Sequence, residues 1–179
     1  MKTGIFNGCI IWIPSLFLMG CNNATKSTDT NITQREKTTE VKENVVGIKD
    51  DALNTVYQQY LLLSDALINS DMAAAKEAGL ALELGAKALN NGNQFVKLAS
   101  TITAVSDIEK QRAVFSDLSN EMMNRIKSVG LEEGEIYLDY CPMALDDQGA
   151  VWLSNEKSIR NPYFGEKMME CGEVKETLK

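Results

Sequence analysis

Histidine is absent from all 179 residues. The chain therefore has no Ser-His-Asp or Cys-His mechanism, no imidazole-ligated zinc, and none of the commonest general base. Positive charge is short as well: 18 Lys and Arg stand against 25 Asp and Glu, a net charge of −7. Nucleic-acid binders carry a basic patch and a positive balance, so no nucleic-acid partner is expected. Long hydrophobic runs are missing too. The apolar stretch around Ile10–Met19 is short and is interrupted at Pro14-Ser15, so it does not span a bilayer comfortably. What is present is a hydrophobic fraction of 44%, enough for the core of one modest domain. Catalytic motifs do not emerge. Cys171 lacks a histidine to activate it, the acidic pairs Glu132-Glu133 and Asp146-Asp147 have the look of solvated turns, and Gly130, Gly134 and Gly149 form no phosphate loop. The chain is not expected to be an enzyme.

The first twenty residues have the form of an address. Lys2 supplies a positive start, the apolar stretch follows, and Leu18-Met19-Gly20-Cys21 resembles a bacterial lipobox. A small residue fits the peptidase subsite, and the Cys21 thiol takes a diacylglycerol before cleavage. The expectation is a lipoprotein signal peptide over residues 1–20 and a membrane anchor through lipid on Cys21. The chain would then sit in the cell envelope on the periplasmic side, with the outer membrane preferred over the inner. Cys9, Trp12, Pro14 and Met19 leave with the signal and take no part in the fold. Residues 21–48 are almost entirely polar at first and then of mixed charge, which reads as a flexible tether.

From Asp50 the pattern becomes helical. Leu53, Val56, Tyr57, Tyr60, Leu63, Leu67 and Ile68 fall at the 3,4 spacing of one helix face, predicting a helix to about Asn69. Ser70-Asp71 caps a second, alanine-rich helix from Met72 to about Asn90, closed by Asn90-Asn91-Gly92-Asn93. Phe95, Leu98, Ala99, Ile102 and Val105 mark a third. A fourth runs from Ile108 to Val129 with Phe115, Leu118, Met122 and Ile126 on its stripe and Gly130 as its stop. Four such stripes joined by short turns predict a mainly α fold, an antiparallel bundle of about four helices occupying residues 49–179 together with its tail.

After Gly134 the composition changes. Ile136, Leu138 and Tyr140 alternate with Tyr137, Asp139 and Cys141, a strand pattern. Asp146-Asp147-Gln148-Gly149 signals a turn, and Ala150–Leu153 reads as the returning strand. Residues 134–179 thus form a small β-hairpin and loop module rich in Cys, Met and aromatic side chains. Trp152 is expected to plug this module onto the bundle.

The same module holds the candidate chemistry. Cys141 and Met143 are two apart, so both can face one side of a strand, while Met168 and Cys171 are three apart, as on one side of a helical turn. Sulfur donors without imidazole select Cu(I) or another soft ion such as Ag(I). One candidate is therefore a metal site of Cys141, Met143, Met168 and Cys171, with Met169 in reserve. The other is a disulfide: in an oxidising compartment two remaining cysteines pair, closing a loop worth about 3–4 kcal/mol. Oxidation removes thiolate ligation, so the two alternatives largely exclude one another.

Several blocks of the tail carry a resemblance. They are Cys141-Pro142-Met143-Ala144, Gly149-Ala150-Val151-Trp152-Leu153-Ser154, Ile159-Arg160-Asn161-Pro162-Tyr163-Phe164-Gly165, and Met168 with Cys171-Gly172-Glu173-Val174. Together with Asp107-Ile108-Glu109-Lys110-Gln111-Arg112, Phe115 and Ser119, they resemble the bacterial domain of unknown function 3347 family over roughly residues 50–178. The resemblance implies a periplasmic helical domain in a copper or heavy-metal context, found as small lipoproteins or fused to adaptor subunits of heavy-metal efflux pumps. It implies metal-efflux components as partners and no established activity, and it moves metal binding ahead of the disulfide. Within the family's tail, Arg160 is expected as a buried ion-pair or carbonyl-binding residue. Asn161, before Pro162, is expected to close an Asx-type turn.

Overall fold

The computed structural model describes residues 44–179. Cys21, the signal-like segment and most of the expected tether lie outside the described residues.

Four helices follow the apolar stripes. The first, α1 (Asp51–Ile68), starts where the Asp50 carboxylate accepts the Leu53 N–H at 2.9 Å, relieving one of the unpaired donors of the first turn. It buries Leu53, Val56, Tyr57, Tyr60, Leu63 and Leu67. Asp71 plays the same part for α2 (Met72–Ala86), accepting from Ala73 and Ala74. This helix ends four residues short of Asn90: Lys87 to Gly92 turn instead, and Leu89 tucks in among the buried side chains. A Cβ on Gly92 would lie 2.0 Å from the Ala86 carbonyl oxygen, so only glycine allows the turn to fold back so closely. Next come α3 (Asn93–Ala104) and α4 (Ile108–Val129), the latter capped by Asp107 through the Lys110 N–H and stopped at Gly130, whose φ of 83° suits glycine. Each helix packs on the next and α1 also meets α4, giving the antiparallel bundle that the stripes predict.

The β structure is larger than a hairpin. A short pair joins β1 (Gly47–Ile48) to β2 (Leu131–Glu133). A three-stranded antiparallel sheet has β3 (Ile136–Cys141) at its centre, between β4 (Ala150–Ser154) and β5 (Glu173–Leu178). The hairpin of β3 and β4 appears where the alternation puts it. The third strand is an addition: Glu173–Leu178 is largely exposed and has no apolar alternation strong enough to announce it, and main-chain pairing with β3 holds it. The end of the expected tether also joins the fold. Val46 and Ile48 are buried, and the Asn44 amide donates to the carbonyls of Glu135 and Asn155 while its oxygen accepts the Glu135 N–H.

Sheet and bundle share one core. Tyr57, Tyr60 and Phe115 stack in sequence, and Tyr163 and Trp152 continue the series with centroid spacings of 6.0 Å. Trp152 is 1% exposed and lies within that shared core. No helix among the described residues is long and apolar enough to cross a membrane.

Candidate functional site

The candidate residues gather at one end of the three-stranded sheet. Cys141 is the last residue of β3 and is fully buried, while Cys171 lies just before β5 and is partly exposed. Antiparallel pairing of Tyr140 with Glu173 brings the two cysteines side by side, although 30 positions separate them. Their Sγ atoms are 2.9 Å apart and unbonded. The hydrogen bond shared with Cys141, and then burial, raise the Cys171 thiol above the usual range, so this thiol resists becoming the thiolate that reacts or binds metal.

The methionines are placed less uniformly. Met143 lies beyond Pro142 and is 48% exposed, so its thioether faces water. Between it and β4 the chain makes a left-handed turn, with Leu145, Asp146 and Asp147 at φ of 54°, 56° and 62°. Met168 and Met169 follow a 3₁₀ turn (Gly165–Lys167) and are half-buried; the Met169 carbonyl accepts the Asn161 N–H at 2.8 Å.

Asn161 ties this end together. Its side-chain oxygen accepts the Tyr163 N–H at 2.8 Å, the expected Asx turn, and its amide donates to the Cys171 carbonyl at 2.6 Å. Pro162 and Tyr163 are buried behind it, Phe164 is half-buried, and the Tyr163 hydroxyl donates to the Val151 carbonyl on β4. At Gly165 (φ 58°) a Cβ would come within 2.7 Å of the Ile68 carbonyl oxygen, so the block presses on the end of α1 where only glycine fits.

The expected role of Arg160 needs correcting. Its guanidinium pairs with Asp65 at 3.1 Å, but both side chains are about half exposed, so it is a surface ion pair. The buried carbonyl-binding arginine is Arg112 on α4. Its Nε donates to the Pro162 carbonyl at 2.8 Å, Nη2 to the Leu67 carbonyl and Ser70 Oγ, and Nη1 to Glu109. A signal for it existed: Arg112 stands within the apolar stripe of Ile108, Phe115, Ser119, Met122 and Ile126, where a solvated arginine has no place.

Asp139 also escaped the sequence reading. It lies mid-β3 beside a bulge, is fully buried, and neither carboxylate oxygen has a hydrogen-bond partner. Burial pushes its pKa up to about 7. The hydroxyls of Tyr57 and Tyr60 nearby are held above their usual range, chiefly by burial. Tyr57 donates to Asn155, and Tyr60 accepts the Leu153 N–H and shares a hydrogen bond with Ser119. Between α1 and the end of β4 a crevice of about 340 Å³ opens, lined by Ser64, Asp65, Trp152, Asn155 and Arg160 among others.

No group of three or more Cys, Asp or Glu side chains is disposed to hold a metal among the described residues. The fold and this site define a four-helix domain with a small antiparallel sheet locked to one end of the bundle by a buried arginine. Residues 56–134 match the family described as protein of unknown function (DUF3347). The matched stretch runs from α1 through β2 and ends before Cys141, so the match rests on the bundle and not on the tail blocks. No curated protein and no solved structure matches the chain.

Proposed function

We propose that this chain is a lipid-anchored envelope module that binds protein partners, its C-terminal sheet closed by a Cys141–Cys171 disulfide. One observation carries the closure: the two sulfurs are already in contact at 2.9 Å. Two thiolates on a tetrahedral ion at about 2.3 Å each would stand about 3.8 Å apart, and a linear ion would spread them further. A separation this short favours a bridge between the two sulfurs over an ion held between them. Partner binding is supported by the crevice beside Arg160 and Asn155, whose mixed polar and apolar lining suits a peptide segment. The anchor rests on the lipobox-like Leu18–Cys21, and the module includes no catalytic step.

A second function rests on Met143. A thioether held in water two residues from Cys141 is available to a soft ion once the cysteines are reduced. In that state Cys141, Met143, Met168 and Cys171, with Met169, would take Cu(I) or Ag(I), and the protein would serve a metal-efflux assembly.

Thiol counting separates the two. Protein taken from an oxidising periplasm should show no free thiol before reduction and two afterwards from Cys141 and Cys171, with no tight uptake of Cu(I) by the native form. Two free thiols with stoichiometric uptake, lost in Cys141→Ser and Cys171→Ser, would overturn the bridge and favour the metal site. Mass spectrometry should find diacylglycerol on Cys21; an unmodified N-terminus would refute the anchor.

A further inference from the structure

The outer face of α1 and α2 is at odds with its position on the surface. Leu62, Leu80 and Leu84 are 58%, 57% and 70% exposed. A buried apolar stripe explains the other leucines of these helices but not these three, which point away from the core. Between the two helices runs a groove of about 490 Å³. Leu62 and the methyls of Ala66, Ala74, Ala78 and Ala81 line it, so its floor is apolar and lets another backbone approach closely. On α2, Glu77, Ala81 and Leu84 follow at four and three residues, and Leu80 is three from Glu77, so the exposed leucines extend the groove along one face.

The groove carries charge of one sign. Asp65, Asp71 and Glu77 are the charged residues on its rim, and no Lys or Arg lines it. Asp71 also caps α2 and Asp65 holds Arg160, yet all three remain exposed. Two antiparallel helices with an open furrow between them accept a third helix by ridge-and-groove packing. An acidic rim repels an anionic membrane surface and a second copy of this acidic chain, and attracts basic side chains.

We infer that the α1/α2 groove is a docking site for an amphipathic helix of a partner protein, one whose apolar stripe is flanked by lysine or arginine. The leucines and alanines bury the stripe, and Asp65, Asp71 and Glu77 set the register and exclude acidic helices. This site stands apart from the cysteine pair and does not depend on its redox state.

The test uses the full chain and two synthetic helical peptides with the same leucine stripe, one flanked by lysines and one by glutamates. Fluorescence anisotropy should show the lysine peptide binding at least tenfold more tightly than the glutamate peptide and weakening as salt rises. Glu77→Lys and Leu84→Asp, both at exposed positions, should each weaken it roughly tenfold or more with unchanged circular dichroism. Equal affinity for both peptides, no binding at millimolar peptide, or unaltered affinity in both variants would overturn the inference. So would self-association of the full chain in sedimentation equilibrium that Leu84→Asp abolishes, since the face would then belong to a second copy. Pelleting of the full chain with anionic vesicles, abolished by the same change, would overturn it as well.

Discussion

Arg112 joins three parts of the chain that lie far apart in sequence: α4, the last turn of α1, and the Asn-Pro-Tyr-Phe-Gly block. The Leu67 carbonyl, in the last turn of α1, accepts the Ser70 N–H at 3.1 Å and takes Arg112 Nη2 as a second donor at 3.0 Å. Removing that side chain takes the donor from the Pro162 carbonyl and empties a buried site, so Arg112→Met should lower stability by about 3 kcal/mol in urea unfolding. Arg112→Lys should recover only part of that loss, because an ammonium cannot reproduce the fork. Asp139 acts in the opposite sense. Its folded pKa of about 7 lies above its ordinary value of 3.8, so the native state holds a proton that the unfolded chain has released. Stability then falls as pH rises between about 4 and 7 and levels off above, with a total of at most about 4 kcal/mol. Asp139→Asn should flatten that slope and leave the protein more stable than the parent at pH 8, as read from melting temperature across pH. An unchanged slope would mean that Asp139 does not titrate in this window.

At the scale of elements, the helices are built from local signals. Asp50, Asp71 and Asp107 each sit one residue before a helix and cap it, and the stripes they introduce face the core. The tail is held differently. β5 gains its place by pairing with β3, and the block between β4 and β5 gains its shape from Asn161, Arg112 and the fit of Gly165 beneath α1. The Gly165 fit makes a specific prediction. Gly165→Ala combines a left-handed φ with a Cβ set against the Ile68 carbonyl oxygen and the Arg112 guanidinium, and should cost about 2 kcal/mol or more in denaturant unfolding. Arg112→Met and Gly165→Ala touch the same contact, so a double variant should lose less than the two single losses added together.

Over the whole molecule, a single core joins bundle and sheet through the series from Tyr57 to Trp152, and the cysteine pair sits against it at one end of the sheet. If Cys141 and Cys171 are bridged, reduction should lower stability by about 3 kcal/mol and Cys171→Ser should reproduce the reduced form, both measured by thermal unfolding. The sequence by itself determined the four helices, the β3–β4 hairpin, the Asx turn at Asn161 and the absence of imidazole chemistry. These follow from periodicity, capping residues and composition, which act over a few neighbours. It also offered Cys141 and Cys171 as a pair, because two sulfurs in one small domain stand out. Only the tertiary structure decided that Arg112 and not Arg160 is the buried clamp, that Asp139 is stranded without a partner, that a third strand completes the sheet, and that Leu62, Leu80 and Leu84 face outward. Those outcomes depend on which distant segments meet and how much water their meeting expels; the α4 stripe marks Arg112 as out of place in water, but no local pattern names the carbonyls it reaches.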